Sequence, residues 1–385
     1  MIIHKEMTRS NNERYVLREV INHKQISRSQ ISRNLHLNKV TVSQIVTKLI
    51  EHGLLVEVGA GESTLHGGRK PALLSLNPQF GYIININLGY RKLDFLTVSI
   101  SGKRLAAKTI EVRNNQIISM LKLITAYIDK TKAKQPANLL AISFAIHGIV
   151  QADKILYSPF IDMAQQDLKE LYTKLYQVPV FLENEANLTA IYERDFAKNF
   201  ESNCNLISIS IHKGIGAGII MNGQLYTGRH GEAGEIGHTV TYKKIDNGLD
   251  LETKIENYCS EDAVIDHIKK RKKFEYVNIE LVKEMYLNQD PIVVQIINEF
   301  CNYMSRIIYN VIVSFDPDKV ILNANLLDKL PELKGKIIGN VHSLVSERTP
   351  IDVSRNARYS TLLGANALAV RKLLGLEDLA INFCS

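Results

Sequence analysis

Between Glu183 and His238 the chain sets three polar, glycine-rich clusters among apolar, strand-like runs, and that pattern constrains the fold more than any other stretch. The clusters are Glu183-Asn184-Glu185-Ala186-Asn187, the run Gly214-Ile215-Gly216-Ala217-Gly218, and Gly231-Glu232-Ala233-Gly234-Glu235-Ile236-Gly237-His238. Carboxylates accept hydrogen bonds from neighbouring hydroxyls, an asparagine amide donates and accepts, and an imidazole does either. Asn184, Glu185, Glu235 and His238 therefore suit a polyhydroxylated ligand, which points to a sugar. Glu235 and His238 stand three residues apart, a spacing that places both on one face of a helical turn. Either residue alone reads as a solvated surface side chain; the bordering apolar runs carry the set into one cleft.

At 385 residues the chain exceeds a single ordinary core, so two or more domains are expected. Its 45% apolar and 23% charged residues are those of a soluble globular protein. It has no run of eighteen apolar residues, and Met1-Ile2-Ile3-His4-Lys5-Glu6 lacks the apolar core of a signal peptide, so a cytoplasmic protein with no membrane partner is expected. Cys204, Cys259, Cys301 and Cys384 are widely spaced, which predicts reduced thiols and neither a disulfide framework nor a zinc knuckle.

The net charge of +7 is uneven. Residues 1–80 hold eleven Lys and Arg against six Asp and Glu, and the remainder holds 36 against 34, so the basic surplus sits in the first fifth, as an attached nucleic-acid module requires. Asn11 and Asn12 are candidate caps for a helix with Val16, Leu17, Val20 and Ile21 inward. Ser27-Arg28-Ser29-Gln30 has capping-box form and starts a second helix, and Asn38 caps a third, which Gly53 stops. In the third, Val42, Ile45, Val46, Leu49 and Ile50 make an apolar stripe, with Lys39, Thr41, Ser43, Gln44, Thr47 and Lys48 outward.

Strands at Leu54–Val58 and Ala72–Leu76 then flank a glycine-rich tip ending Gly67-Gly68-Arg69-Lys70-Pro71. This predicts a winged helix-turn-helix that binds double-stranded operator DNA. Gln44 suits an adenine edge, Thr41 and Ser43 suit bases or phosphates, Lys39 and Lys48 suit phosphates, and Arg69 and Lys70 suit an adjacent groove or its phosphates. The competing interpretation is a three-helix dimerisation domain with a solvated polar face. Palindromic DNA demands two-fold pairing, so a homodimer or higher homo-oligomer is expected.

Tyr82 to Leu88 alternates as a strand, turns at Gly89-Tyr90-Arg91 and returns from Leu93 to Ile100; Leu206 to Gln224 repeats the pattern and adds the hairpin signal Asn222-Gly223. This weak repeat predicts two related lobes. Helical patterns cover Ile117 to Lys130, Val293 to Val313 and Tyr359 to Leu374, and Lys269-Lys270-Arg271-Lys272-Lys273 reads as a solvated helix end.

The Asn-acidic-Ala-Asn element, the Gly214-Ile215-Gly216-Ala217-Gly218-Ile219-Ile220 run, Asn222-Gly223-Gln224-Leu225-Tyr226 and Ala233-Gly234-Glu235-Ile236-Gly237-His238, in that order, resemble the ROK family of sugar kinases and sugar-responsive repressors over nearly the whole chain. The resemblance implies an α/β chain: a winged helix-turn-helix at 1–78 and, at 79–385, a duplicated actin-like, ribonuclease H-like fold. Lobe 1 is expected at about 79–190 plus the C-terminal helix and lobe 2 at about 191–358, with the ligand cleft between them. The tip around Gly61-Glu62-Ser63-Thr64 and Gly67 to Leu74 resembles the wing of the family's xylose-repressor branch.

Measured against the family's kinases, Asn87-Leu88-Gly89-Tyr90-Arg91 replaces an Asp-initiated phosphate loop, Lys213 stands in the second loop where kinases have Thr or Gly, and Leu322-Asn323-Ala324-Asn325 replaces a late glycine cluster. An amide cannot supply the charge that helps hold Mg²⁺. Glu185 stands where kinases carry a catalytic Asp and is itself competent as a base. The family's cysteine-rich zinc loop is reduced to Cys259 after His238, which with one imidazole cannot close a tetrahedral site, so neither a metal nor a cofactor is expected. Lys254 to Glu261 resembles the segment supplying a last sugar-binding carboxylate; Glu256 is either that fifth pocket residue or a helix-surface glutamate. The expectation is a non-enzymatic, sugar-responsive repressor released from DNA by a monosaccharide, xylose first and glucose second. The alternative is a sugar kinase with an accessory DNA-binding module.

Overall fold

A computed structural model describes residues 10–60, 70–196, 203–244, 250–341 and 349–383. They form two compact units. One comprises the chain up to Leu188, Arg194–Ser202 and the chain from Leu362 on; the other comprises Thr189–Glu193 and Asn203–Thr361.

The first unit opens with α1 (Asn11–His23), β1 (Ile26–Ser27), α2 (Arg28–Leu35) and α3 (Lys39–Glu51). Ser10, one residue earlier than expected, caps α1 by accepting from the Glu13 N–H, so Asn11 and Asn12 are already helical. Ser27 and Gln30 form the reciprocal capping box at α2, and Asn38 Oδ1 accepts from Val40 N–H at 2.9 Å to start α3. β2 (Leu55–Ala60) and β3 (Ala72–Leu76) are antiparallel, and β1 pairs on the far side of β3. The tip at 61–69, with Arg69, lies outside the described residues; Lys70 is exposed.

Next come β4 (Gly81–Gly89), β5 (Lys92–Ser99), β6 (Arg104–Glu111), α4 (Ile117–Lys134), β7 (Asn138–Ile146), the hairpin β8 (Ile149–Gln151) and β9 (Lys154–Tyr157), α5 (Leu168–Tyr176), β10 (Val180–Asn184) and α6 (Glu185–Asp195). The sheet order is β6-β5-β4-β7-β10, antiparallel through β6-β5-β4 and parallel through β4-β7-β10. The alternation from Tyr82 to Leu88 separates two cores rather than core from solvent. Tyr82, Ile84, Ile86 and Leu88 pack with Ile117, Met120, Ile124 and Ile128 of α4. Ile83 faces the opposite core, which it shares with Ala369 and Val370. A central strand covered on both faces is buried along nearly its whole length, Asn87 near its end being the exception.

The second unit contains β11 (Leu206–Ile211), β12 (Ile215–Met221), β13 (Gln224–Tyr226), a 3₁₀ turn at Ile236–His238, β14 (Val240–Lys244), β15 (Asp250–Lys254), α7 (Glu256–Cys259), α8 (Glu261–Lys272), α9 (Ile279–Leu287), α10 (Pro291–Phe315), β16 (Lys319–Ala324), α11 (Asn325–Lys329), α12 (Leu333–Asn340) and β17 (Ile351–Val353). Its sheet order, β13-β12-β11-β16-β17, repeats the first: the earliest strand is central, two antiparallel partners lie on one side and two parallel strands on the other. Asn222 and Gly223 both have positive φ, as a two-residue hairpin turn requires. Asp290 caps α10 and Pro291 opens it, and its apolar face, including Val293, Ile297, Phe300, Met304, Ile308 and Ile312, fills the core.

The chain then enters α13 (Ser360–Leu374) and returns to the first unit. A Cβ at Gly364 would lie 1.8 Å from the Leu188 carbonyl oxygen, so only glycine lets α13 approach α6 this closely. Behind that contact Asp195, wholly buried, accepts a two-pronged guanidinium from Arg371, both bonds at 2.8 Å, and a second from Arg194. The other edge of Arg371 donates to the carbonyls of Leu376 and Leu379, and Phe383 N–H donates to the Asp195 carbonyl. The tail fixed in this way meets α1: Arg14 donates to Gly375 O at 2.5 Å and pairs with Asp378, and Asn382 N–H donates to Asn22. Val16, Leu17 and Val20 of α1 consequently share one core with Ile83, Val370, Leu376 and Ile381. Asp195→Ala leaves two buried guanidinium groups without their anion and should cost about 3–5 kcal/mol. Urea denaturation followed by circular dichroism measures it; a loss below about 0.5 kcal/mol would show that the tail holds without this ion pair.

Candidate functional site

The five residues expected to grip a sugar divide between the units. In the second, β12 hydrogen-bonds to the segment that carries Glu235: Ala217 N–H donates to Gly234 O at 2.8 Å. A Cβ on Gly234 would meet the Ala217 carbonyl oxygen at 1.8 Å, and one on Gly237 would meet that of Ile215 at 2.4 Å. The two glycines let the polar turn lie against the strand. Glu235 and His238 bracket that turn as the i, i+3 spacing predicts, with His238 Nδ1 3.8 Å from Glu235 Oε2. Glu256, the first residue of α7, closes the group from the other side, its Oε1 3.4 Å from His238 Nε2. Its Oε2 accepts from Ile215 N–H at 3.2 Å, so Glu256 belongs to this cluster and not to a bare helix surface. One partly exposed imidazole between two carboxylates offers several acceptors and a donor within one small space, the equipment for adjacent sugar hydroxyls.

In the first unit Asn184 ends β10 and Glu185 begins α6. Asn184 Oδ1 accepts from the N–H groups of Ala186 and Asn187, capping α6, while its Nδ2 donates to Gly148 O at 2.8 Å. Both ends of that amide are engaged, which fixes the strand-to-helix turn and the Glu185 side chain on it. Glu185 Oε1 lies 3.9 Å from His147 Nδ1, and the other ring nitrogen of His147 bonds to Asn87 Oδ1 at 3.0 Å. His147 escaped sequence reasoning because a lone histidine after a buried strand carries no motif; only the parallel register of β4, β7 and β10 aligns Asn87, His147 and Glu185.

Glu261 accepts from Leu326 N–H and from the Asn325 amide, so a carboxylate of the chain itself occupies the start of α11. Among the described residues, no group of three His, Cys, Asp or Glu is placed to hold a metal, and no helix is long and apolar enough to cross a membrane. Most of the loop after His238 that bears on zinc, 245–249, and Cys384 lie outside the described residues.

The expected DNA face lies on α3. Val42, Val46 and Leu49 are buried beneath it, while Lys39, Val40, Ser43, Gln44, Thr47, Lys48 and Glu51 line an open hollow of about 610 Å³. Lys39, Ser43, Gln44 and Lys48 therefore stand together as expected. Thr41 is half-buried beside that stripe, and Lys48 Nζ is 3.5 Å from Glu13 Oε2. Val40 and Glu51 were not among the expected residues. Arg69 lies outside the described residues, and Lys70 follows it at the start of β3's approach.

The model of the ROK family matches residues 83–372. A xylose repressor of Lactiplantibacillus pentosus is 36% identical over 99% of this chain and 98% of its own. A xylose repressor of Staphylococcus xylosus is 37% identical over 97% and 98%. Among solved structures, a ROK family transcriptional regulator described as a homologue of the Escherichia coli MLC protein superposes with a TM-score of 0.76 at 24% identity, covering 96% of this chain and 97% of that one. That likeness extends the shared fold through the N-terminal helices.

Beside the candidate site, desolvation holds the Glu183 carboxyl above the ordinary range, outweighing the hydrogen bonds from Asn187 and the Asn184 N–H and the charge of Lys372. A carboxyl whose folded pKa is raised contributes its full stability below the unfolded value and loses it as pH rises through the folded one. Glu183→Gln keeps an acceptor for both N–H donors and removes the charge. It should melt higher than wild type at pH 8, with the difference shrinking as pH falls toward 4.5, in thermal denaturation across that range. A pH-independent difference would show that the carboxyl does not bear this burden.

Proposed function

The chain belongs to the ROK family, and from that premise we propose that it is a sugar-responsive transcriptional repressor, released from operator DNA by a monosaccharide, and not a kinase. The observation that carries the proposal is the full-length likeness to two xylose repressors, which runs through the N-terminal helices as well as the sugar-kinase-like region. The N-terminal module, residues 1–78, acts as a winged helix-turn-helix with α3 in the major groove. Gln44 meets an adenine edge, Thr41 and Ser43 meet bases or nearby phosphates, Lys39 and Lys48 meet phosphates, and Arg69 and Lys70 carry the wing. Residues 79–385 act as the sensor. Asn184, Glu185, Glu235, His238 and Glu256 bind the sugar, Asn184 through the turn that it caps. Xylose is the first candidate and glucose the second, and a homodimer supplies two modules to a palindromic site.

A sugar releases DNA only by binding the DNA-incompetent arrangement more tightly, and a shift from 1:99 to 99:1 requires about 5.5 kcal/mol of preference. Glu235→Ala or His238→Ala removes charged or hydrogen-bonding partners worth about 1.5–3 kcal/mol each, so the sugar concentration for half-release should rise about ten- to hundred-fold while DNA affinity without sugar stays unchanged. The measurement is fluorescence anisotropy on a duplex enriched from a random library, titrated with xylose and then glucose. Release of both variants at the wild-type concentration would remove these residues from the sensor.

The proposal that the chain is no kinase is supported by the amide of Asn87, engaged with His147, and by Glu261 at the start of α11. With ATP, Mg²⁺ and xylose or glucose, ADP formation should stay below about 10⁻² per second, against kinase turnover of roughly 1–100 per second. Turnover in that range would restore the enzyme alternative.

A further inference from the structure

On the outer face of α3 the side chain at position 40 differs in kind from its neighbours. Val40 is 63% exposed, the most exposed of the described Val, Leu and Ile side chains outside the core. It heads the stripe Val40, Ser43, Gln44, Thr47, Lys48 and Glu51, whose spacing of three and four residues keeps all six on one helical face. Leaving an aliphatic side chain in water at the head of a polar stripe forgoes burial, and a β-branched residue adds nothing to helix propensity there. Its position is rigid. Asn38 holds the Val40 N–H at 2.9 Å, and a valine in a helix keeps essentially one χ1 rotamer, so its two methyl groups have a fixed aim.

The major-groove edge of a base pair presents hydrogen-bond donors and acceptors and a single apolar group, the C5-methyl of thymine. We propose that Val40 is a specificity-determining residue of the DNA interface, reading a thymine methyl beside the base pair that Gln44, one turn further along the same face, contacts through adenine. The inference rests on α3 being the DNA-reading helix and names one base feature that it reads. Ser43 and Gln44 supply polar recognition that any matching donor or acceptor satisfies, whereas Val40 gains only where a methyl is present. The pair would thereby select a T·A step over a C·G pair, whose cytosine lacks that methyl.

The test uses the full-length protein and the duplex it binds most tightly after selection from a random library. Each thymine is replaced singly by uracil, which removes the methyl and leaves every hydrogen-bonding group in place, and affinity is measured by fluorescence anisotropy for wild type and Val40→Ala. At one or more thymines the exchange should weaken wild type about four-fold, the worth of one methyl-sized group taken from water, and leave Val40→Ala unchanged. Because Val40 is exposed, the variant should melt with wild type. Wild-type binding that ignores every thymine-to-uracil exchange overturns the proposal while leaving DNA binding intact, as does a Val40→Ala variant with the same methyl sensitivity. Failure to enrich any duplex overturns the DNA-reading function itself, and the role of Val40 with it.

Discussion

One buried carboxylate, Asp195, organises the first unit. Two guanidinium groups converge on it, and desolvating three charges is tolerable only because their hydrogen bonds are nearly all met: Arg371 spends one edge on Asp195 and the other on tail carbonyls. The consequence is architectural. The chain after α13 has little regular structure of its own, yet Leu376 and Ile381 are wholly buried because Arg371 orders the backbone that bears them. Those residues complete the core beneath α1, so the N-terminal helices are packed into the unit and not hung from it on a linker. A module of three short helices buries too little surface to be robust alone, and the shared core offsets that shortage.

The two sheets show how one topology serves two chemistries. Each places its first strand at the centre and its parallel partners to one side, so each delivers strand ends to the same edge. In the first unit the ends of β4, β7 and β10 carry Asn87, His147 and Asn184-Glu185 there. In the second, the β11–β12 hairpin supplies a backbone platform on which Gly234 and Gly237 seat a carboxylate–imidazole–carboxylate cluster. Polar side chains at strand ends escape the cost that the same groups would meet in the sheet interior, where Asn85 needs both Leu96 O and Asn366 for its amide nitrogen.

The sequence by itself determined whatever is decided within a few residues. The i, i+3 pairing of Glu235 with His238, the capping box of Ser27 and Gln30, the Asn222-Gly223 hairpin, the apolar stripe of α3 and the presence of α4, α10 and α13, though not the last turn of α4, all follow from local spacing, because helix and strand periods are fixed by backbone geometry. The recurrence of one strand pattern also announced the duplicated sheet. Tertiary structure decided the rest. Glu256 could be either surface or pocket until its contact with His238, eighteen positions away, assigned it; His147 met Glu185 only through parallel strand register; and Asp195 met Arg371 across 176 residues. No local period encodes such meetings. They depend on how closely packed elements can approach, and at Gly364 against Leu188 or Gly234 against Ala217 that distance is set by the absence of a single carbon atom.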